Sequence, residues 1–380
     1  MAITITASPD TITAGYNPIV WTCTSNTATI VRIIADVVID GTVRANIDKD
    51  PRFGTTDTFD FDIQSVVQDY LTENLETISG NDIANAGSSE VEVYLKLYEV
   101  VLTGGLLVTA WRENGTGLPE QTSDVGWCIN SALQHEETQN LNAFTVDTTS
   151  KRFLTNRTTQ KLRRTETMQL HFVTNEASVK AKLVQKDSSG STTSTTAFPG
   201  SAETITDKAG VVLLDGSVMD ATAATFEITL ADSSLADISE TVTITIDDSC
   251  SSEAVRLKWV NPLGGIDGYT FMARKKEDVS FRSKTFERVV EKGYALKDRG
   301  HTVLSITGQD TMELFSDILT NTELQWIAEL GLSNNVWIDD GNFVPMVVTS
   351  RKIKTIDTEK KRFQASYKLK KANERITQRG

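Results

Sequence analysis

Arg256-Leu257-Lys258-Trp259-Val260-Asn261-Pro262-Leu263-Gly264-Gly265-Ile266-Asp267-Gly268-Tyr269-Thr270-Phe271 reads as a strand, a tight glycine-rich turn and a return strand carrying aromatics. A phosphate-binding loop would need a helix after the glycines, with its N-terminus facing the anion. The residues from Ile266 to Phe271 are strand-like instead, and Asp267 would repel an anion. Gly264 and Gly265 are therefore turn residues, supplying positive φ or close backbone approach. The stretch holds neither His nor Cys, so its demands are conformational. Trp259, Pro262, Gly264, Gly265, Asp267, Tyr269 and Phe271 are its expected structural or interface residues. The three aromatics have the spacing of strand positions that face inward or toward a neighbour.

Working outward, 380 residues exceed one ordinary core, so two or three domains are expected. A hydrophobic content of 39% and a charged content of 23% suit folded domains and exclude a disordered chain. No run approaches a membrane span, and Met1 to Thr6 alternates like a strand, without the basic flank and apolar stretch of a signal peptide. Synthesis and use without secretion by that route are the expectation. The charge is uneven. Residues 1–250 carry 16 Lys+Arg against 34 Asp+Glu, whereas residues 251–380 carry 22 against 17. Such a dipolar chain could stack head to tail or ring up with alternating signs in contact, although two differently solvated domains are the preferred reading.

The expected fold class is mainly β and multidomain, in three parts. Residues 1–140 read as a β-rich domain with one short helix. Ile30 to Asp40 is a β-branched run that turns at Asp40-Gly41 into a hairpin. Asp62 is placed to cap a helix carrying Ile63, Val66, Val67, Tyr70 and Leu71 at helical spacing. From Glu90 to Val101, Val91, Val93, Leu95 and Leu97 share one strand face, while Tyr94 and Tyr98 lie on a solvated one. Residues 141–250 read as an Ig-like β-sandwich, with strands near 170–173, 179–186, 225–230 and 241–246. The polar tract Asp187 to Thr196 reads as an exposed mobile loop. Residues 251–380 read as an α+β domain. Asp310/Glu313 and Thr322/Gln325 suggest capping boxes that start a helical pair, with Gly331 ending the second helix. A hairpin turns through Asp339 to Asn342, and Phe363, Ala365, Tyr367 and Leu369 mark a last strand.

No catalytic, cofactor or metal site is expected. His135, His171 and His301 are the only histidines, and none has a second ligand at useful spacing. Cys23, Cys128 and Cys250 are odd in number and far apart, so they read as small buried residues and not as a disulfide or zinc framework. No Gly-x-Ser-x-Gly elbow anchors a nucleophile. Lys360-Lys361-Arg362 and Lys368 to Lys371 form a basic end. With only Phe363 and Tyr367 interleaved, this end reads as a solvated strand edge, and nucleic-acid binding is not expected. Asn114-Gly115-Thr116 and Asn156-Arg157-Thr158 match the glycosylation pattern by chance when no secretion signal precedes them.

Several pieces taken together resemble a known group of proteins. These are Ala14 to Trp21, the strand ending Val38-Ile39-Asp40-Gly41, and Phe59-Asp60-Phe61-Asp62-Ile63 with Val66 and Tyr70-Leu71. Lys151 to Asn156 and Arg256 to Gly265, followed by Asp267, Tyr269 and Phe271, complete the set. The succession resembles a largely unnamed family of structural proteins encoded by tailed phages of Bacteroidetes-type bacteria. The resemblance implies a virion component of the tail, collar or baseplate, assembled in the host cytoplasm, with a second copy and other virion proteins as partners. It carries over no reaction, ligand or active residue. The alternative is a receptor- or carbohydrate-binding virion protein whose ligand is a host surface glycan. A glycan hydrolase, which would need two carboxylates facing one cleft, ranks third.

Overall fold

The computed structural model describes residues 3–52, 57–104, 106–109, 121–133, 141–146, 152–205, 208–249, 253–287, 292, 295, 301–350 and 364–376. The fold is mainly β, as the alternating patterns require. The chain forms two compact units. One comprises residues 1–247 together with 261–266, and the other residues 248–260 with 267–380.

The first unit holds four sheets. A three-stranded sheet runs in the order Ile3–Ala7, Val20–Ser25, Thr58–Asp62. A wider sheet runs Ile12–Ala14, Gly126–Ile129, Glu90–Thr103, Ile30–Ile39, Thr42–Lys49, and Leu106–Thr109 and Gln121–Thr122 also pair with Glu90–Thr103. These two sheets share one core: Trp21, Cys23, Phe59 and Phe61 from the first meet Ile33, Ala35, Val37, Val93 and Leu95 from the second. Asp40 and Gly41 have φ of 48° and 72°, which is the conformation a two-residue hairpin loop requires. The expected helix is shorter than its apolar spacing suggested, spanning Gln64–Gln68. The Asp62 carboxylate accepts from the Gln64 backbone N–H at 3.0 Å, although Asp62 itself ends a strand. Tyr98 departs from expectation. It is buried against Ile34 and Val100, so its strand is apolar on both faces along that stretch.

The other two sheets of this unit form a sandwich-like pair. One runs Thr145–Val146, Thr167–Thr174, Ala209–Asp215, Asp82–Asn85; the other runs Thr159–Leu162, Val242–Ile246, Thr225–Ala231, Ser178–Lys186, Thr192–Thr204. Met168, Leu170, Val212 and Leu214 pack with Leu183, Phe226, Ile228 and Ile244 in a common core. The tract 187–196 is not a long loop. Asp187 Oδ1 accepts from the backbone N–H of Ser189 and of Ser191, closing a tight turn around Gly190. The threonines beyond it then enter the edge strand Thr192–Thr204, paired with Ser178–Lys186. Thr is a good strand former, and the pairing satisfies a backbone that a loop would leave to water.

The second unit is one twisted sheet ordered Ile266–Phe271, Val255–Val260, Val336–Ile338, Val344–Val348, Ser366–Lys371, His301–Phe315, Arg274–Glu287, with Arg375–Ile376 also pairing on His301–Phe315. The helical pair expected here is corrected to one helix, Asn321–Ala328. Residues 312–315 belong to a long strand. Met312, Phe315, Ile318 and Leu319 recur at helical spacing, but Met312 and Leu314 also satisfy a period of two, and pairing with strands on both sides decides between them. Asp310 is no cap: Arg375 and Lys371 bond its carboxylate and hold it below the usual carboxylate range. The capping box is built two residues earlier than expected. Thr320 Oγ1 accepts from the Glu323 N–H at 3.3 Å, and the Glu323 carboxylate accepts from the Thr320 N–H at 2.8 Å. The hairpin through Asp339 to Asn342 forms as read, with Gly341 at φ 92°. Lys368 and Lys370 do not guard an edge, because Ser366–Lys371 is flanked on both sides. Lys360, Lys361, Arg362 and Phe363 lie outside the described residues, as do His135 and Cys250.

Candidate functional site

The turn at 261–266 is built around the side chain of Asn261. Its Oδ1 accepts from the N–H groups of Leu263 and Gly265, both at 3.0 Å, and its Nδ2 donates to the Leu154 carbonyl at 2.8 Å. One amide thus closes the loop and fixes it to the neighbouring backbone. The Pro262 carbonyl accepts from the Ala132 N–H at 2.9 Å, and Leu263 is buried among Ile12, Ile129, Phe144 and Leu154. The two glycines meet different constraints. Gly264 has φ 92°, and a Cβ there would lie 2.9 Å from the Asn130 carbonyl oxygen. A Cβ on Gly265 would lie 2.3 Å from the Leu154 carbonyl oxygen, closer than any real contact, so close approach is what excludes a side chain.

The remaining residues of the motif lie in the second unit. Trp259 is fully buried, with its ring 5.2 Å from that of Trp326. Asp267 is buried too, and its Oδ2 accepts from the Trp326 indole N–H at 2.8 Å. A buried indole donor usually finds such a partner, whereas the Trp259 N–H in the same core has none. Tyr269 and Phe271 meet edge to face at 4.9 Å, and Phe271 reaches Tyr367 at 6.0 Å. The Tyr367 hydroxyl donates to the Ile327 carbonyl at 2.6 Å, and burial pushes its pKa upward. Trp259, Asp267 and Phe271 are therefore core residues, Tyr269 is half-buried, and none offers a broad surface to a ligand.

Sequence reading missed the charges behind this cluster. Lys258 is 1% exposed, and its Nζ sits 2.9 Å from Asp339 Oδ2 and 4.9 Å from the centre of the Phe343 ring. Arg256, equally buried, places Nε 3.9 Å from the same oxygen and donates to Thr270 Oγ1 at 3.2 Å. The only signal in the sequence was the alternation of Arg256, Lys258 and Val260 within an otherwise apolar strand. Strand periodicity places those residues on one face without saying whether that face is wet.

The titratable groups elsewhere are shifted by burial. His171 has no partner on Nε2, and desolvation lowers its pKa from 6.5 to about 4. Cys23 and Cys128 are buried free thiols pushed up to about 12 by desolvation, which leaves them protonated and unreactive. Among the described residues no group of three His, Cys, Asp or Glu side chains is placed to hold a metal. A shallow groove of about 440 Å³ runs along Ile3 to Ser8, opposite Gln121, Thr122 and Asp124.

The largest exposed feature was also unread in the sequence. Arg274–Glu287 and His301–Phe315 form an antiparallel ribbon with one long register. Its inner end is covered, with Leu314 in the core and Met312 packed against it. Further out, the same face carries Val279, Phe281 and Val303, which are 42%, 66% and 41% exposed. Gly308 sits opposite Phe281 and leaves room for its ring, since a Cβ there would meet that ring at 3.3 Å. Exposed apolar side chains thus continue beyond the covered end, interrupted by Asp310, which stands opposite Val279 and pairs with Lys371 and Arg375. No protein-family model matches this chain, and no curated protein matches it.

Proposed function

We propose that this chain is a non-enzymatic structural subunit of a tailed-phage virion, placed in a ring or collar of the tail or baseplate. It works through interfaces with further copies and with other virion proteins. The observation that carries the reading is the ribbon of Arg274–Glu287 and His301–Phe315, whose outer part exposes Val279, Phe281, Ile306 and Val303 on one face. Clustered exposed apolar side chains of this kind mark association sites in soluble proteins. The rest of the chain suits a load-bearing role. The conspicuous aromatic turn is spent on packing and hydrogen bonding, with Asn261, Gly264 and Gly265 committed to backbone contacts. Within this reading the chain is three modules: a β-rich one, an Ig-like sandwich and an α+β one. The resemblance to phage structural proteins supplies the setting.

The test is to purify particles of a phage that encodes this sequence, measure the copy number of the chain by quantitative mass spectrometry and locate it by reconstruction. A fixed copy number matching a ring is the expected result. Absence from purified particles overturns the reading. A few distal copies that bind glycan would replace it with the receptor-binding alternative.

A further inference from the structure

Arg274–Glu287 is the outermost strand of its sheet, and among the described residues its only neighbour is His301–Phe315. Thirteen of its fourteen residues are exposed, and it carries no proline. A long uncovered edge presents a row of backbone donors and acceptors ready to pair with another strand. Charged side chains blunt an edge against indiscriminate pairing, and eight of these fourteen residues are charged. Their two signs alternate in an order that selects a partner complementary to them.

We propose that the edge strand Arg274–Glu287 pairs antiparallel with the same strand of a second copy of this chain, with Phe281 opposite Phe281 on the two-fold axis. The pairing rests on the structural-subunit reading for its biological setting only. The register follows from symmetry and charge. Two identical strands side by side in one sheet can be antiparallel only through an axis perpendicular to the sheet, and that axis must set one residue opposite its own copy. Centring on Phe281 puts Asp278 opposite Lys284, Lys275 opposite Glu287 and Val279 opposite Ser283. Both charge–charge pairs within Arg274–Glu287 are then of opposite sign, and symmetry repeats each. Centring on Ser280 would set Lys276 against Lys284, offsetting its one attraction, Asp278 with Arg282. Centring on Arg282 would set Glu277 against Glu287 and Arg282 against itself. Like charges directly opposite one another destabilise a ladder, so both of those neighbouring registers are disfavoured.

The apolar side chains agree with this choice. Opposed residues project on the same face, so Phe281 meets its copy on the face that also carries Val279 and Val303. The pairing brings the Phe281 and Val279 side chains of the two copies onto one face around the axis. Aromatic cross-strand pairs are among the stronger contacts available to a sheet.

Asp278 and Lys284 provide the test. Within one chain they are six positions apart on one strand, roughly 20 Å, too far to touch. Across the proposed axis they are directly opposed. Sedimentation equilibrium on the purified full chain should show a dimer. Lys284→Glu should weaken it roughly 10- to 30-fold, because two attractions become two repulsions. The charge-swapped double variant D278K/K284E should restore it. Phe281→Cys in a Cys250→Ser background should give a disulfide-linked dimer under mild oxidation that the Cys250→Ser chain alone does not, while the buried Cys23 and Cys128 stay reduced. A parent chain that remains monomeric at about 100 µM overturns the pairing, as does a dimer indifferent to Lys284→Glu or not restored by the swap. Since particle incorporation is read separately, failure here leaves the virion reading standing or falling on its own measurement.

Discussion

Replacing Asp339 by Asn should be among the most damaging single changes in the second unit, although the two side chains differ by one atom. Asp339 is the carboxylate that Lys258 and Arg256 face, and the Lys258 ammonium sits 2.9 Å from it with 1% of the residue exposed. The substitution takes from both buried cations the carboxylate they face. Breaking a buried pair by removing one partner costs about 3–5 kcal/mol, because the remaining charge has lost its compensation and cannot reach water. Both Lys258 and Arg256 face this carboxylate, so a loss within that range is expected. The contrast that makes the test sharp is Lys258→Met. It removes the ammonium and keeps an unbranched apolar chain of similar length, while Arg256 remains beside Asp339. That change should cost far less, since replacing buried ionic groups by apolar ones is often close to neutral. Global melting would blend the two units, which need not unfold together. Hydrogen exchange of peptides covering Val255–Val260 and Val336–Ile338 isolates the affected sheet. If Asp339→Asn slows or accelerates exchange there by an amount equivalent to less than about 1 kcal/mol, the cations are hydrated in solution and the reasoning fails.

Other expectations follow from the same packing. Gly265→Val should destabilise the first unit by about 1–3 kcal/mol or more, because the Leu154 backbone must move away from the new Cβ; urea denaturation with exchange readout near 152–155 checks this, and a parent-like midpoint refutes it. Trp259→Ala should cost about 3–5 kcal/mol by emptying a fully buried site beside Trp326, read as faster exchange in the helix Asn321–Ala328. His171 is neutral when folded, with a pKa of about 4 against an ordinary 6.5, so the unfolded chain binds its proton first as pH falls. Its contribution is fully present above pH 6.5 and is lost progressively down to about pH 4, by roughly 3 kcal/mol. His171→Gln should flatten that part of the stability–pH curve, and an unchanged slope would show that the imidazole is hydrated.

The parts of the fold that the sequence made legible are those where one local rule acts alone. Asp40-Gly41 and Asp339 to Asn342 turn where glycine permits positive φ, and both hairpins form there. Strands with clean alternation, such as Val242–Ile246, alternate in burial as well. The failures came where two rules competed. Met312 fits a helix with Phe315 and Ile318 and a strand with Leu314, and only partners distant in sequence, 274–277 and 367–369, settle the choice. The threonines after Gly190 read as loop by composition but as strand by propensity, and the availability of Ser178–Lys186 as a partner tipped them. Pairing is a non-local property, and nothing within a window of ten residues reports it.

The same distinction separates the two candidate sites. The aromatic turn was conspicuous in sequence because glycines and large rings are rare and conformationally loaded. That very loading means its side chains are consumed internally: Asp267 by Trp326, Asn261 by Leu154, Trp259 by the core. The edge strand Arg274–Glu287 was inconspicuous because Arg-Lys-Lys-Glu-Asp-Val-Ser-Phe-Arg-Ser-Lys-Thr-Phe-Glu reads as a polar, unremarkable run. Its apolar residues become meaningful only once the register sets Val279 and Phe281 on the face that begins with Leu314. Its charges become meaningful only once a symmetry axis sets Asp278 opposite Lys284. A subunit that acts by association exposes what it needs for a partner and buries what it needs for itself, so the residues easiest to notice in its sequence are the ones least available to function.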